Sequence, residues 1–434
     1  MRNASEMPPP PSATDADIAA SWDELRAIAG AEHLRSAETG DSVAGVQPQA
    51  VFEPDSEKEL AEVLHCADAA GLGVVPRGGG TKIGWGNPPV RANLILSTRR
   101  LNRVIEHAWA DLTVSVESGC TIQKLQSTLA QHGQRIAVDP LWPERATIGG
   151  ILSTNDSGSL RIRYGALRDL VIGVTIALPD GTLASSGGKV VKNVAGYDLP
   201  KLCTGALGTL GVITRAIFRL HPLPRNTQSF TFAARDLDDA NRLIQGILDS
   251  QLTPTGLQAR CRPDAAPEVD IRVEGTDAGL AAQAETLRKL APPGTEAPAS
   301  ETVWEARTEL WSPAEQAAMA KFSVLPASIA ETCGRIGQLA DSSRVQWRLV
   351  VQGTGLGWLR LEASSPSAVR EVLSALRLEL ETRGGSLAIL HRPAAMPVID
   401  AWGSGGDALP LMISVKQQFD PRGTLNPGRF VGGI

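Results

Sequence analysis

The sequence has few cysteines, and none of them form a pair spaced for binding a metal. The 434 residues contain no C-x-x-C motif, which excludes the usual thiolate frameworks for zinc and iron–sulfur clusters. The six histidines are equally scattered, with no H-E-x-x-H or H-x-H pair, so the sequence predicts no metal site. We expect the cysteines to be reduced, small and buried. They are Cys66, Cys120, Cys203, Cys261 and Cys333.

Long apolar runs and basic blocks are also absent. Apolar stretches such as 171–178 are far shorter than the roughly 18 to 20 residues of a membrane span. The formal net charge is −5 and no basic run exceeds Arg99-Arg100, which argues against a nucleic-acid partner. The first 14 residues contain Pro8–Pro11 but neither the basic start nor the apolar core of a signal peptide. We therefore expect a cytoplasmic protein that is not inserted in a membrane and that reaches one, if at all, through partner subunits.

Glycine and proline are abundant, with 43 and 29 residues. No G-X-Y period accompanies them, so the excess indicates many special turns. Ser56 and Glu59 have the S-x-x-E spacing of a capping box before a helical apolar pattern that extends to Ala70. Strand signals on both sides of this helix predict a β-α-β unit within about thirty residues.

The pattern of strands and helices predicts four segments. Residues 1–45 form a proline-rich tail with a short helix, and residues 46–224 form a first domain with a mixed sheet that ends near Pro222 and Pro224. In residues 225–402, repeated strand–helix pairs predict an α+β domain with helices on one face of an antiparallel sheet. Residues 403–434 are rich in turn signals and are expected to return to the first domain.

Three glycine-rich segments in the first domain point to a phosphate ligand. A pyrophosphate held without metal needs several converging main-chain N–H groups, and only glycine lets the backbone approach closely at positive φ. The run 77–81 supplies such a nest, although one G-G-G alone is equally typical of a tight turn. Two further segments, 147–158 and 205–211, combine glycines with hydroxyl and amide side chains, and three such segments in one domain favour the ligand.

These segments together resemble the FAD-binding proteins of the vanillyl-alcohol oxidase and p-cresol methylhydroxylase type. The resemblance is carried by P-R-G-G-G-T at 76–81, by the segment 146–165, by K-N-V-A-G-Y-D-L at 192–199, by G-T-L-G-V-I-T at 208–214 and by D-P…L-N-P-G at 420–428. Within this family, the sequence is most similar to the smaller FAD-binding subunit, the E subunit, of bacterial glycolate oxidases. The resemblance implies an α+β fold with a two-part FAD-binding domain and a second α+β cap domain that has an antiparallel sheet and helices.

The resemblance also implies which residues bind FAD. Residues 77–82 would surround the pyrophosphate, residues 147–158 would line the flavin and phosphate side, and residues 205–213 would contact adenine and the ring system. Some relatives attach the flavin through a histidine after the glycine run, but Thr81 stands there, so we expect non-covalent FAD. Tyr197 is expected to pack on the flavin, with filling of a sheet edge as the alternative. The full predicted set is Pro76, Arg77, Gly78, Gly79, Gly80, Thr81, Lys82, Thr147, Ile148, Gly149, Gly150, Ser153, Thr154, Asn155, Gly158, Tyr164, Gly165, Gly205, Gly208, Thr209, Gly211, Val212, Ile213 and Asn426.

The sequence lacks the histidine-rich signals by which family members oxidise hydroxy acids unaided. A hydroxy-acid dehydrogenase needs an arginine for the carboxylate and a base for the hydroxyl proton, and His391 with Arg392 is the candidate catalytic pair. Leu207 also replaces a glutamate that is usual in those relatives. The leading interpretation is therefore an FAD-binding subunit that supports oxidation of glycolate, with a larger FAD-binding subunit and an iron–sulfur subunit as partners. The alternatives are a self-sufficient FAD-dependent dehydrogenase for glycolate or D-lactate and a non-catalytic structural subunit.

Overall fold

A computed structural model describes residues 22–28, 32–189, 196–297, 300–311 and 317–434. The chain divides by its contacts into two compact units, the first made of residues 1–157, 166–223 and 404–434 and the second of residues 158–165 and 224–403. The predicted motif at 192–199 lies partly outside the described residues, because only its last four residues are included.

The strands of the first unit form a four-stranded, a five-stranded and a two-stranded sheet. They are β1 (Leu34–Ser36), β2 (Ala50–Phe52), β3 (Val74–Arg77), β4 (Leu94–Ser97), β5 (Val104–Ala108), β6 (Thr113–Glu117), β7 (Gln134–Arg135), β8 (Val171–Ala177), β9 (Leu183–Gly187), β10 (Val212–Arg219) and β11 (His221–Pro222). The helices are α1 (residues 22–28), α2 (Glu57–Ala69), α3 (Ile122–Ala130), α4 (Ile148–Thr154), α6 (Leu167–Leu170), α7 (Leu199–Cys203) and α13 (Leu409–Phe419).

The four-stranded sheet has the order β1-β2-β4-β3. The predicted β-α-β unit is present, but β2 and β3 are not neighbours, because both pair in parallel with β4 between them. Helix α2 begins after Ser56, whose hydroxyl accepts the Glu59 N–H at 3.2 Å. Its apolar face shares one buried cluster with strands of this sheet and with Ala177 and Val212 of the five-stranded sheet.

The five-stranded sheet has the order β5-β6-β10-β8-β9 and is antiparallel throughout. Strand β10 is its centre, and the loop that precedes β10 ends at Gly211. Because β10 starts directly after this loop, residues 205–211 are placed at one end of the sheet.

The second unit is an eight-stranded antiparallel sheet with helices packed on one face, as the sequence predicted. The sheet order is β15-β12-β14-β13-β17-β18-β16-β19. The strands are β12 (Asn226–Ala233), β13 (Gly256–Cys261), β14 (Glu268–Gly275), β15 (Glu296–Ala297), β16 (Ala317–Ser323), β17 (Gln346–Gln352), β18 (Leu356–Glu362) and β19 (Ser386–His391). The helices are α5 (Arg161–Tyr164), α8 (Leu237–Leu248), α9 (Asp277–Leu290), α10 (Ala306–Glu309), α11 (Ile329–Ser342) and α12 (Pro366–Thr382).

Several elements differ from the sequence-based expectation. Strands β13 and β16 and helix α11 were not predicted. Helix α13 replaces what the turn signals after Ala401 suggested, and α4 is a helix within a segment that was expected to be a loop. Threonine explains α4, because Thr147 caps it by accepting the Gly150 N–H at 3.3 Å.

Candidate cofactor site

One cleft in the first unit brings the three glycine-rich segments together. It encloses about 690 Å³, within the range of small-molecule sites. The predicted residues that line it are Pro76, Arg77, Gly78, Gly79, Gly80, Thr81, Lys82, Thr147, Gly149, Gly150, Ser153, Thr154, Gly208, Gly211, Val212, Ile213 and Asn426. Segments that are more than 340 residues apart, such as the loop after β3 and the turn at Asn426, therefore meet at one site.

Close main-chain approach is what the glycines of residues 77–82, the glycine loop, provide. A β-carbon on Gly79 would lie 1.8 Å from the carbonyl oxygen of Arg145, and one on Gly78 would lie 2.0 Å from Thr147 Oγ1. Gly80 has φ +72°, a conformation that side chains with a β-carbon rarely adopt. Any larger residue would push the glycine loop away from the segment that carries Thr147.

The main-chain N–H groups of residues 78–81 donate no hydrogen bond to any part of the chain that the structure describes. Consecutive amides that are free to donate form a concave anion site, and burying such donors without a partner is costly. This arrangement fits a pyrophosphate, which offers several acceptor oxygens. The glycine loop is therefore the part of the cleft best suited to the FAD phosphates.

Helix α4 lines the cleft but does not offer its first N–H groups to a ligand. The Ile148 N–H donates to Cys120 O at 3.0 Å, the Gly149 N–H to Ser118 O at 2.8 Å and the Gly150 N–H to Thr147 Oγ1. These donors are already satisfied by protein. The contribution of α4 is consequently its surface, which presents Ser153 and Thr154 to the cleft, rather than its N-terminus.

The two cations of the glycine loop are both engaged by carboxylates. Lys82 Nζ lies 3.0 Å from Asp156 Oδ2. Arg77 donates to Asp41 Oδ1 at 2.7 Å. Hydrogen bonds from Arg35 and Arg77, with the loop N–H of Glu38, hold the pKa of Asp41 well below its ordinary value, so this carboxylate stays charged. Arg77 and Lys82 therefore fix the loop in place, and the amides of residues 78–81 remain for the anion.

Sequence reasoning missed four residues that line the cleft, namely Ile83, Thr98, Leu207 and Arg429. Thr98 could have been found, because it follows β4 as Gly78 follows β3, and parallel neighbours end at the same edge of a sheet. Arg429 comes three residues after Asn426, and burial lowers its pKa to about 10. Its guanidinium donates to Trp85 O at 2.7 Å and to Asn426 Oδ1 at 3.3 Å.

Other predicted cofactor residues do not line this cleft. Within the first unit these are Ile148 and Thr209, which are buried, Asn155, which caps the end of α4 at φ +47°, and Gly205. Tyr197, expected to pack on the flavin, is 89% exposed and also lies outside the cleft. This expectation was wrong for the residues described, since an exposed ring shares no wall with the glycine loop.

Gly158, Tyr164 and Gly165 belong to the second unit. There, the Tyr164 hydroxyl donates to Glu274 Oε2 at 3.0 Å. Their role toward a cofactor stays a prediction.

The candidate catalytic pair also lies in the second unit. His391 ends strand β19, opposite Met319 of β16, and its ring centroid is 6.5 Å from that of Trp311. The pKa of His391 is lowered, because the surrounding protein desolvates the ring and the Arg360 guanidinium disfavours a second positive charge. Arg392 follows directly in the chain. The pair is placed to act as a neutral base beside a cation, and its catalytic role stays a prediction.

Comparisons with known proteins agree with this site. Residues 48–187 match the family model described as an FAD binding domain. The glycolate oxidase subunit GlcD of Bacillus subtilis is 32% identical over 216 residues, which cover 50% of this chain and 46% of that protein. A D-lactate dehydrogenase of Archaeoglobus fulgidus is 27% identical over 417 residues, which cover 88% of this chain and 91% of that protein.

Among solved structures, substrate-bound p-cresol methylhydroxylase superposes with a TM-score of 0.78 at 15% identity and covers 98% of both chains. This likeness establishes the fold. No helix of the described residues is both long and apolar enough to cross a bilayer. The resemblance drawn from the sequence is confirmed: residues 48–187 are an FAD binding domain, and the chain has the fold of p-cresol methylhydroxylase.

Proposed function

We propose that this chain is the FAD-binding subunit of a complex that oxidises a small 2-hydroxy acid, with glycolate as the leading substrate. The observation that carries the proposal is the row of free amides at residues 78–81 in a cleft within the matched FAD binding domain. The Bacillus subtilis relative is named as a glycolate oxidase subunit, which supports the substrate and the assembly. Because the chain spans about half of that relative, activity, substrate and partners are inferred and not transferred.

In this proposal, the chain's own residues bind and hold the cofactor. The amides of residues 78–81 donate to the pyrophosphate, and Lys82 and Arg77, each paired with a carboxylate, keep the loop rigid. Thr81 offers no imidazole for attachment, so the FAD is non-covalent. When bound, FAD supplies the acceptor for the two electrons and the hydrogen removed from the hydroxy acid.

Electrons then leave for a partner or a diffusible acceptor. The five cysteines are dispersed and buried, so this chain does not provide thiolates for an iron–sulfur relay. We place that relay on an iron–sulfur subunit and the principal substrate site on a larger FAD-binding subunit.

The test is the visible absorbance of the bound flavin under anaerobic conditions, for the chain alone and for the co-purified complex. We expect glycolate to bleach the flavin band in the complex and to leave the isolated chain unchanged. A complex whose flavin does not respond to glycolate, D-lactate or other 2-hydroxy acids contradicts the proposal. An isolated chain that shows no flavin band after reconstitution with FAD favours the structural subunit instead.

A self-sufficient dehydrogenase is the second candidate. Two observations favour it: the lowered pKa of His391 next to Arg392, which is appropriate for a base at neutral pH, and the alignment with a D-lactate dehydrogenase along most of both chains. In that case glycolate or D-lactate bleaches the flavin of the isolated chain. An unchanged spectrum with either acid excludes it.

A further inference from the structure

The C-terminal helix α13 buries a lysine and exposes apolar side chains. Its sequence is L-P-L-M-I-S-V-K-Q-Q-F, and of these eleven residues only Lys416 is buried. Leu411 is 69% exposed and Lys416 is 0% exposed. A fully buried ammonium is costly unless several partners satisfy it, so its location calls for a specific role.

Lys416 makes three hydrogen bonds, two of them to segments next to the cleft. Its Nζ donates to Asp420 Oδ2 at 2.6 Å, to Thr209 O at 2.8 Å and to Leu425 O at 2.9 Å. Thr209 belongs to the loop 205–211 that lines the cleft through Gly208 and Gly211. An ammonium has three donors, and all three are used here.

Asp420 is a matched buried partner. It accepts the N–H groups of Thr424 and Leu425, both at 2.8 Å, in addition to the ammonium. The turn 420–425 is therefore folded around the carboxylate. Burial lowers the pKa of Lys416, while the charge of Asp420 opposes that change.

The turn leads directly to Asn426, which contacts the same loop. Asn426 Nδ2 donates to Leu207 O at 2.5 Å, and its Oδ1 accepts from Arg429. The side chain of Asn426 is thus used by protein groups. Leu207 is held at φ +51°, which is uncommon for leucine and needs such external support.

We propose that Lys416 is a positioning residue of the cofactor site: it ties the loop 205–211 to the turn 420–426, and this tie sets how tightly FAD is held. The proposal rests on the proposed function, because it assumes that FAD occupies the cleft. Lys416 does not line the cleft, so it acts through the main chain at Thr209 and Leu425 rather than by contact with the cofactor.

The experiment compares Lys416→Met, Lys416→Gln and wild type as FAD-loaded proteins. Three quantities are measured: the dissociation rate of FAD, the temperature at which flavin fluorescence is released, and the unfolding temperature from tryptophan fluorescence. The visible circular dichroism of the bound flavin reports its surroundings. Arg377→Met is the matched control, because Arg377 is also a buried cation that donates to main-chain carbonyls, at Leu387, Asp400 and Ala401, but in the second unit.

We expect both Lys416 variants to release FAD at least about tenfold faster, since each loses charged hydrogen bonds of the tie. Flavin should be released well below the unfolding temperature, with a changed dichroism spectrum. Lys416→Gln, which keeps one amide donor, should be the milder variant. Arg377→Met should lower the unfolding temperature and leave the dissociation rate and dichroism unchanged.

The outcomes separate the two proposals. If wild type binds FAD, Gly79→Ala abolishes binding and the Lys416 variants retain wild-type dissociation and dichroism, the inference about Lys416 is wrong and the cofactor site stands. Release of FAD only in step with unfolding, as in Arg377→Met, also contradicts the inference. If wild type binds no FAD, or Gly79→Ala binds it normally, the proposed cofactor site itself fails.

Discussion

Lys82 Nζ lies 3.0 Å from Asp156 Oδ2, and both side chains are almost completely buried beside the cleft. The same carboxylate oxygen accepts the Leu141 N–H at 2.9 Å, and Lys82 donates to Leu141 O at 3.2 Å. The rings of Trp85 and Trp142 lie 5.9 and 5.4 Å from the ammonium. The lysine that the glycine run places next to a phosphate site is therefore a structural cation with its own counter-ion.

We expect Asp156→Ala to destabilise the protein strongly. Removal of one partner leaves a buried charge without compensation, which costs about 3 to 5 kcal/mol. The free energy of unfolding, measured by urea denaturation, should fall by this amount, and Lys82→Met combined with Asp156→Leu should recover much of it. The exposed pair Glu285 and Lys289 is the control, since Glu285→Ala should leave the unfolding free energy unchanged within error. Equal effects at the two pairs would contradict the structural role of Lys82.

Gly79→Ala should remove FAD binding. The added β-carbon would lie 1.8 Å from Arg145 O, so the glycine loop must move and its amides would lose their common direction. Gly84→Ala is the matched control in the following turn, because no atom lies within 4 Å of its β-carbon position. Titration with FAD, followed by flavin fluorescence, should give normal binding for Gly84→Ala and none for Gly79→Ala. Normal binding by both variants would mean that the loop does not hold the cofactor.

Much of the fold was predictable from local signals. Helix α2 followed from Ser56 and Glu59, and strands β2 to β4 followed from short apolar runs bounded by turns. The helix α13 could not be predicted in this way, because its pattern inverts the usual rule by exposing Leu411 and burying Lys416. Only the tertiary partners of the ammonium, Thr209 and Leu425, explain that helix.

The candidate site was predictable to the extent that it depends on glycine. The runs at Gly78 and Gly208 identified two walls of the cleft, because close approach and positive φ demand this residue type. The functions of polar side chains were less visible. Lys82 and Asn426 resemble ligand-binding residues in sequence but are used by Asp156 and Leu207 in the structure, and pairings over such separations have no local signal.

All five cysteines should be unreactive in the native protein. They are free and buried, as the sequence predicted. Burial raises the pKa of Cys203 to about 12, and burial together with Glu24 raises that of Cys66 to about 12, so little thiolate forms at neutral pH. We expect Ellman's reagent to label no thiol of the native chain at pH 8 on the time scale of minutes and all five after denaturation. Rapid labelling of one native thiol would show a local opening that the fold does not provide.

Acid precipitation should release all of the flavin. Thr81 occupies the position after the glycine run, and its hydroxyl accepts from Lys82 Nζ at 3.4 Å, so no imidazole is available there to form a bond with the flavin. We expect the supernatant to contain the FAD and the denatured chain to be colourless and non-fluorescent on a gel. A peptide mass increased by FAD would contradict non-covalent binding and would identify the attachment residue.

If this chain oxidises the hydroxy acid itself, His391 should set the acid limb of the reaction. A base must be neutral, and its pKa is lowered from 6.5 by desolvation and by Arg360, so His391 is available at neutral pH and becomes protonated only in more acidic solution. The rate of anaerobic flavin reduction should therefore be constant above pH 6.5 and fall below it. Arg360→Gln removes the cationic neighbour, raises the pKa of His391 and should move this limb to higher pH. His391→Asn should abolish reduction, whereas His132→Asn, on the first unit, should not; a His391→Asn protein with the wild-type rate and pH profile would assign the base to another residue or to a partner subunit.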